Sequence, residues 1–186
     1  MVDDTRARIL DGAGRAVVRL GLAKTTLEDV ARAAGVSRAT VYRWFPGGRD
    51  EVFDALVGRE LGTVVEEIVR RFEAASSLAD GLEQVLRWGG PALRAHSLLQ
   101  AALDSAPDEL AMRLSRFEHG LADVVEPVVV ERLAAEGDAD RDHRRDAQYL
   151  VAMLESLMAN PGSWDLEDPA NLREVVRTQL LGAVGR

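Results

Sequence analysis

The sequence predicts an all-α protein: an N-terminal three-helix helix-turn-helix domain followed by a C-terminal helical body, about nine helices in all. Three observations carry this. Strand signals are nearly absent, because the one β-branched cluster, Val128-Val129-Val130, sits inside a helical pattern. Apolar residues recur at three- and four-residue spacing along most of the chain. Gly21, Gly35, Pro46-Gly47-Gly48 and Asn160-Pro161-Gly162 punctuate these stripes where helices should stop.

The first helix is expected from about Thr5 to Leu20, with Ile9, Leu10, Ala13, Ala16, Val17 and Leu20 on one face. Gly12 and Gly14 lie inside it with no strand before them, which excludes a nucleotide-binding loop. Thr26 is placed to cap a second helix, with Asp29 as its capping-box partner. Leu27, Val30, Ala31 and Ala34 give that helix one apolar face, and Gly35 supplies a left-handed stop. Ser37 caps a third helix, whose Val41 and Phe45 point inward. Arg38 with Tyr42, and Ala39 with Arg43, then form two adjacent outward rows. The spacing is that of a helix-turn-helix whose second helix fits a DNA major groove.

The chemistry of that face suits DNA. Arg38 and Arg43 can bond base edges, and arginine to guanine is the commonest specific contact. Ala39 and Thr40 suit a thymine methyl. Tyr42 and Trp44 carry a hydroxyl and an indole N–H for phosphate. Thr26 and Arg49 begin helices, where free N–H groups favour phosphate, and Lys24 is a further cation just ahead. Charge agrees. Residues 1–49 carry net +4 and residues 50–186 net −12, so a basic end sits on an acidic body.

Thr25-Thr26-Leu27-Glu28-Asp29-Val30-Ala31, Ala34-Gly35-Val36-Ser37 and Thr40-Val41-Tyr42-Arg43-Trp44-Phe45-Pro46 together resemble the N-terminal domain of the TetR (tetracycline repressor) family. The family usually continues Ser-Lys after Phe-Pro; here Gly47-Gly48-Arg49 is one residue longer. The resemblance implies that Thr26, Ser37, Arg38, Ala39, Thr40, Tyr42, Arg43, Trp44 and Arg49 occupy positions that commonly meet DNA. It divides the chain into a DNA-binding domain over 1–48 and a ligand-binding and dimerisation domain over 49–186. It also implies a homodimer on a palindromic operator, responsive to a small-molecule effector.

In the body, a long fourth helix is expected over about 49–74, a fifth over 79–88 and a sixth over 91–104, the last two split by Gly89-Gly90. A seventh is expected over 105–136, broken or kinked at Pro127, an eighth over 140–159 and a ninth over 169–181. Leu150, Val151, Leu154, Leu157 and Met158 form a stripe on the eighth, and Leu172, Val175, Val176 and Leu180 another on the ninth. Both helices also carry apolar residues off the stripe. Two uses stay open: core filling, or a four-helix bundle with a second copy, which the resemblance favours.

Phe72, Trp88, Leu99, Leu103, Met112, Phe117, Leu121 and Met153 are candidates for an apolar ligand lining, with His96, Gln100, Arg116 and Tyr149 adding polar groups. Aromatics and methionines at helical spacing serve equally well as core.

Other chemistries find little footing. There are no cysteines, so disulfides and thiol catalysis are excluded. His96, His119 and His143 lack metal-ligand spacing, and no cofactor motif is present. No apolar run approaches the ~18 residues of a membrane helix, and a cytoplasmic location is expected. The reading is a DNA-binding transcriptional regulator, with a ligand-released repressor as its sharpest form. The alternatives are an all-α enzyme using a body pocket and a constitutive DNA-binding structural protein.

Overall fold

The computed structural model describes residues 2–137 and 142–184, with the backbone alone at 2, 3 and 118–121. Among the described residues there are ten α-helices and no strand. They are α1 (Val2–Leu20), α2 (Leu27–Ala34), α3 (Arg38–Trp44), α4 (Arg49–Ala74), α5 (Leu78–Ala95), α6 (Ser97–Ser105), α7 (Pro107–Ser115), α8 (Glu118–Glu136), α9 (Arg144–Ala159) and α10 (Pro169–Val175). A π-helical turn, Val176–Leu180, and a 3₁₀ turn, Leu181–Ala183, follow. Among the described residues no helix is long and apolar enough to cross a membrane.

The chain forms two compact units. One comprises Met1–Gly62 and Ala95–Glu118, the other Thr63–Arg94 and His119–Arg186. The expected division at 48/49 therefore falls inside the first unit. The reason is a shared core: Ile9, Leu10, Val30, Val41, Phe45, Phe53 and Leu56 pack in one cluster with Ala102 and Leu110 of α6 and α7. The second unit is built on its own cluster, with Phe72, Leu82, Val85, Leu86, Val129, Leu150, Leu172 and Val175 all fully buried.

Three expectations about elements are corrected. Gly89-Gly90 does not split a helix; α5 runs through both and through Pro91. A Cβ at Gly89 would strike the Met158 side chain, so close packing, not a chain break, accounts for that glycine. The break falls instead at His96, whose Nδ1 accepts the Leu99 N–H at 3.3 Å and caps α6. The expected seventh helix is interrupted at 116–117, between α7 and α8, and is not broken at Pro127, which lies inside α8. The last helix is α-helical only to Val175. The expected start of the eighth helix at Asp140 lies outside the described residues.

The stripes on α9 and α10 have a single use within the chain. Leu150, Val151, Leu154, Leu157, Met158, Leu172, Val175, Val176 and Leu180 are each at most 7% exposed in one chain alone. They fill the second unit's core, so they are not the surface these helices offer a partner. The sequence reading of them as interface residues is corrected on this point.

At Gly12, α1 packs closely against the backbone at the end of α2. A Cβ there would lie 2.7 Å from the Ala34 nitrogen and 2.9 Å from its Cα. Backbone cannot swing aside as a side chain can. Gly12→Ala should therefore lower stability by about 1–2 kcal/mol, overpacking outweighing the gain in helix propensity. Chemical denaturation checks this, and a stabilised variant would contradict it.

Candidate nucleic-acid interface

The helix-turn-helix is assembled from local signals reinforced from a distance. Thr26 Oγ1 accepts the Asp29 N–H at 3.2 Å, and the Asp29 carboxylate accepts the Thr26 N–H at 3.1 Å, completing the capping box. The Thr26 hydroxyl also donates to the Asp29 carboxylate at 2.6 Å, and that bond first, then the one from the Thr26 N–H, holds the Asp29 pKa below the usual carboxylate range. Gly35 closes α2 at φ 66°, and its N–H reaches back into the last turn. Ser37 Oγ accepts the Thr40 N–H at 3.0 Å and pairs with the Thr40 hydroxyl at 2.8 Å.

Two arginines of α1, which sequence reasoning missed, secure the end of α2. Arg8 Nη2 donates to the Ala34 carbonyl at 3.2 Å, and Arg15 Nη2 donates to the Ala33 carbonyl at 2.7 Å. Cations on the last carbonyls of a helix oppose its negative dipole end. Each pair is separated by more than 15 residues, so no local pattern could have announced it.

This framework turns one face of α3 outward. Val41 and Phe45 are fully buried. Ser37, Arg38, Ala39, Tyr42 and Arg43 are exposed, as are Lys24 and Thr26, and Thr40 is half-buried. Arg38 lies over the Tyr42 ring, 5.5 Å from its centroid, and donates to the Tyr42 hydroxyl at 3.3 Å. That row is assembled before any ligand arrives. Arg43 makes no hydrogen bond or ion pair among the described residues and is free to reach outward.

Two expected contacts look different in the structure. The Trp44 indole N–H is buried without a partner, and its ring packs against the first unit's core, so it faces away from a phosphate role. Arg49 does begin α4, but its side chain turns inward. Its Nε donates to the Thr25 carbonyl at 3.1 Å, Nη2 to the Leu22 carbonyl at 2.7 Å and Nη1 to Glu109 at 2.7 Å. The guanidinium also sits 4.6 Å from the Phe53 ring centroid. With these groups engaged, Arg49 is a structural cation.

The expected ligand lining does not converge within either unit. His96, Leu99, Gln100, Leu103, Met112, Arg116 and Phe117 lie in the first unit, and Phe72, Trp88, Tyr149 and Met153 in the second. The Leu121 side chain lies outside the described residues. Leu103 and Met112 are 42% and 50% exposed. Phe117 packs on Gly58, Arg116 pairs with Asp54, and Leu99 and Gln100 belong to the first turns of α6. In the second unit Phe72 is fully buried, Trp88 stacks under Arg71, Met153 packs on the core and Tyr149 donates to the Gln179 carbonyl at 2.6 Å. A cavity of about 320 Å³ in that unit is lined by Phe72, Glu73, Val128, Glu131, Arg132 and Ala135, sharing only Phe72 with the expected set. Among the described residues no cluster of three or more acidic or histidine side chains is arranged for a metal.

Comparison with known proteins gives the family. Residues 9–56 match the model of the bacterial regulatory proteins of the tetR family. The nucleoid occlusion factor SlmA of Haemophilus ducreyi is 30% identical over 140 residues, covering 73% of this chain and 69% of SlmA. The chain belongs to the TetR family. An HTH-type transcriptional regulator of Mycobacterium tuberculosis (strain ATCC 25618 / H37Rv) is 29% identical over 174 residues, 91% of this chain and 82% of the relative. The crystal structure of the transcriptional regulator FadR from Bacillus subtilis in complex with stearoyl-CoA shares the fold, with a TM-score of 0.62, 19% identity and coverage of 95% of this chain and 98% of that one. The protein is a TetR-family DNA-binding transcriptional regulator. Regulators of this family bind DNA and small-molecule effectors and act as dimers.

The capping box yields a test. Thr26→Ala should cost about 1 kcal/mol, as N-cap losses do. Because the folded-state pKa of Asp29 is lowered, its contribution is present above the usual carboxylate pKa and lost as pH falls through the lowered value. The gap between wild type and Asp29→Asn should therefore close in acid, read from denaturation midpoints against pH. A gap that stays constant would remove the pH-linked part of this account.

Proposed function

We propose that the protein is a homodimeric repressor that places α3 of each protomer in the major groove of a palindromic operator and leaves it when a small-molecule effector binds the helical body. The observation that supports this best is the solvent-facing row of α3 with an unpaired Arg43. A helix-turn-helix dimer reads half-sites about one helical turn apart, ~34–36 Å. Arg43 is the best-placed base reader, aimed at guanine. Arg38, braced by Tyr42, and the Ala39 and Thr40 methyls complete the reading edge. Lys24, Thr26, Ser37 and the Tyr42 hydroxyl serve the phosphates. Arg49 and Trp44 support the interface from behind.

Dimerisation falls to the outer faces of α9 and α10, since the inner faces are spent in the core. Ala152, Ser156 and Ala159 line the exposed side of α9 at helical spacing and permit close approach of a second helix. The effector acts by linkage: it binds the DNA-incompetent arrangement more tightly, with a typical coupling of ~1–3 kcal/mol. The site of action is the cytoplasm, where the operator is.

Two measurements test this reading. Arg43→Ala should lose about 1–3 kcal/mol of binding to a duplex selected by the wild type from a random pool, and relax preference at one base pair. Unchanged affinity and preference would remove α3 as the reader. Ala152→Arg should sediment as a folded monomer with weakened operator binding. A variant that remains dimeric would move the interface off α9.

A further inference from the structure

The α6–α7 segment is remote in sequence from the helix-turn-helix, yet it grips the loop that leads into it. Gly21 has φ 81°, and a Cβ there would lie 2.6 Å from the Ser105 Cβ, so the end of α6 abuts the loop. Ser105 Oγ accepts the Leu22 N–H at 2.7 Å while donating to the Ala101 carbonyl at 2.6 Å. The Leu22 and Thr25 carbonyls are both taken by Arg49, as described above. Arg49 is in turn held by Glu109 of α7.

Behind Glu109 stands Arg113, the largest fully buried side chain of the protein among those described, at 1% exposure. Its guanidinium donates to Glu109 at 2.7 Å, to the Asp50 carboxylate at 2.8 Å, to the Asp50 carbonyl at 3.0 Å and to Asp54. Burial alone would raise the Glu109 pKa, but the hydrogen bonds from Arg49 and Arg113 outweigh it and hold it below its ordinary value. The carboxylate therefore stays charged between two cations. An arginine is removed from water at high cost unless every donor is engaged, and this one engages the first turns of α4 and its own helix.

We propose that Arg113, Glu109 and Ser105 are positioning residues for operator binding: through Arg49 and the 21–25 loop they set the orientation of α2 and α3 without touching DNA. The proposal rests on the reading of α3 as the DNA-contacting helix. It makes α6–α7 part of the DNA-reading device, and any event that shifts this segment is transmitted to the loop ahead of Thr26.

The sign of the charge effect provides a sharp test. Removing an acidic group from a DNA-binding body, by itself, leaves affinity unchanged or raises it. Positioning predicts the reverse for Glu109. The experiment measures binding of the full-length protein to the duplex selected by the wild type, over a salt series, at a temperature where circular dichroism shows every variant folded. Glu109→Gln should weaken binding on the order of tenfold, in the range found for residues coupled to a site they do not touch. Its salt slope should be unchanged, because no phosphate contact is lost. Asp108→Asn, an exposed neighbour on the same helix, should bind as well as wild type or better. Ser105→Ala, a milder change, should weaken binding in the same way and speed amide exchange at Leu22. If Glu109→Gln fails to fold, Ser105→Ala carries the test. Glu109→Gln behaving like Asp108→Asn, or Ser105→Ala binding as wild type does, would overturn the proposal. A wild-type protein that selects no duplex would instead overturn the reading of α3.

Discussion

A seven-residue helix is too short to hold its shape in water by itself. The rest of the interface depends on how α3 is pinned, and it is pinned by two side chains, Val41 and Phe45, both fully buried. Full burial of such groups is worth about 1.5–3 kcal/mol each. With those positions inward, helical geometry leaves no choice about what faces out: Arg38, Ala39, Tyr42 and Arg43. The caps at Ser37 and Gly35 then fix where the helix starts and the angle at which it leaves α2. The chemistry proposed for this face is thus a consequence of core packing one turn away.

The first unit shows one residue type put to three uses by context. Arg8 and Arg15 neutralise the carbonyl end of α2. Arg49 and Arg113 are cross-links, satisfied by carbonyls and carboxylates. Arg43 alone of these five stays uncommitted and exposed. Removing one partner from a buried ion pair commonly costs about 3–5 kcal/mol, far more than an exposed pair contributes. The cluster around Arg113 therefore specifies an arrangement. It binds a segment from the middle of the chain to the N-terminal helices, which is why the first compact unit is discontinuous in sequence.

What could be read from the sequence was what depends on neighbours along the chain. Thr26 and Asp29, Gly35, Ser37 and the Pro46-Gly47-Gly48 stop are all local signals, and the first four helices lie where those signals put them. The face of α3 followed from periodicity. What could not be read depends on contacts across the fold. Gly89 looked like a stop but makes room for Met158. The inward turn of Arg49 needs Glu109, sixty residues on. The α9 and α10 stripes carry the same pattern whether a core or a partner covers them, and here the chain's own core does. Trp44 has the chemistry of a phosphate contact, yet its N–H is closed off by packing. The aromatic and methionine positions proposed for a ligand are spread over two units because spacing along a helix says nothing about convergence between helices.

The central claim is that one face of the first unit meets DNA. Amide chemical shifts of the labelled protein, followed as it is titrated with a duplex selected from a random pool, test this most directly. The account predicts the largest changes at residues 24–27 and 37–44, with smaller ones through the 105–113 segment that braces them. Changes concentrated in the second unit, with residues 37–44 unmoved, would contradict it.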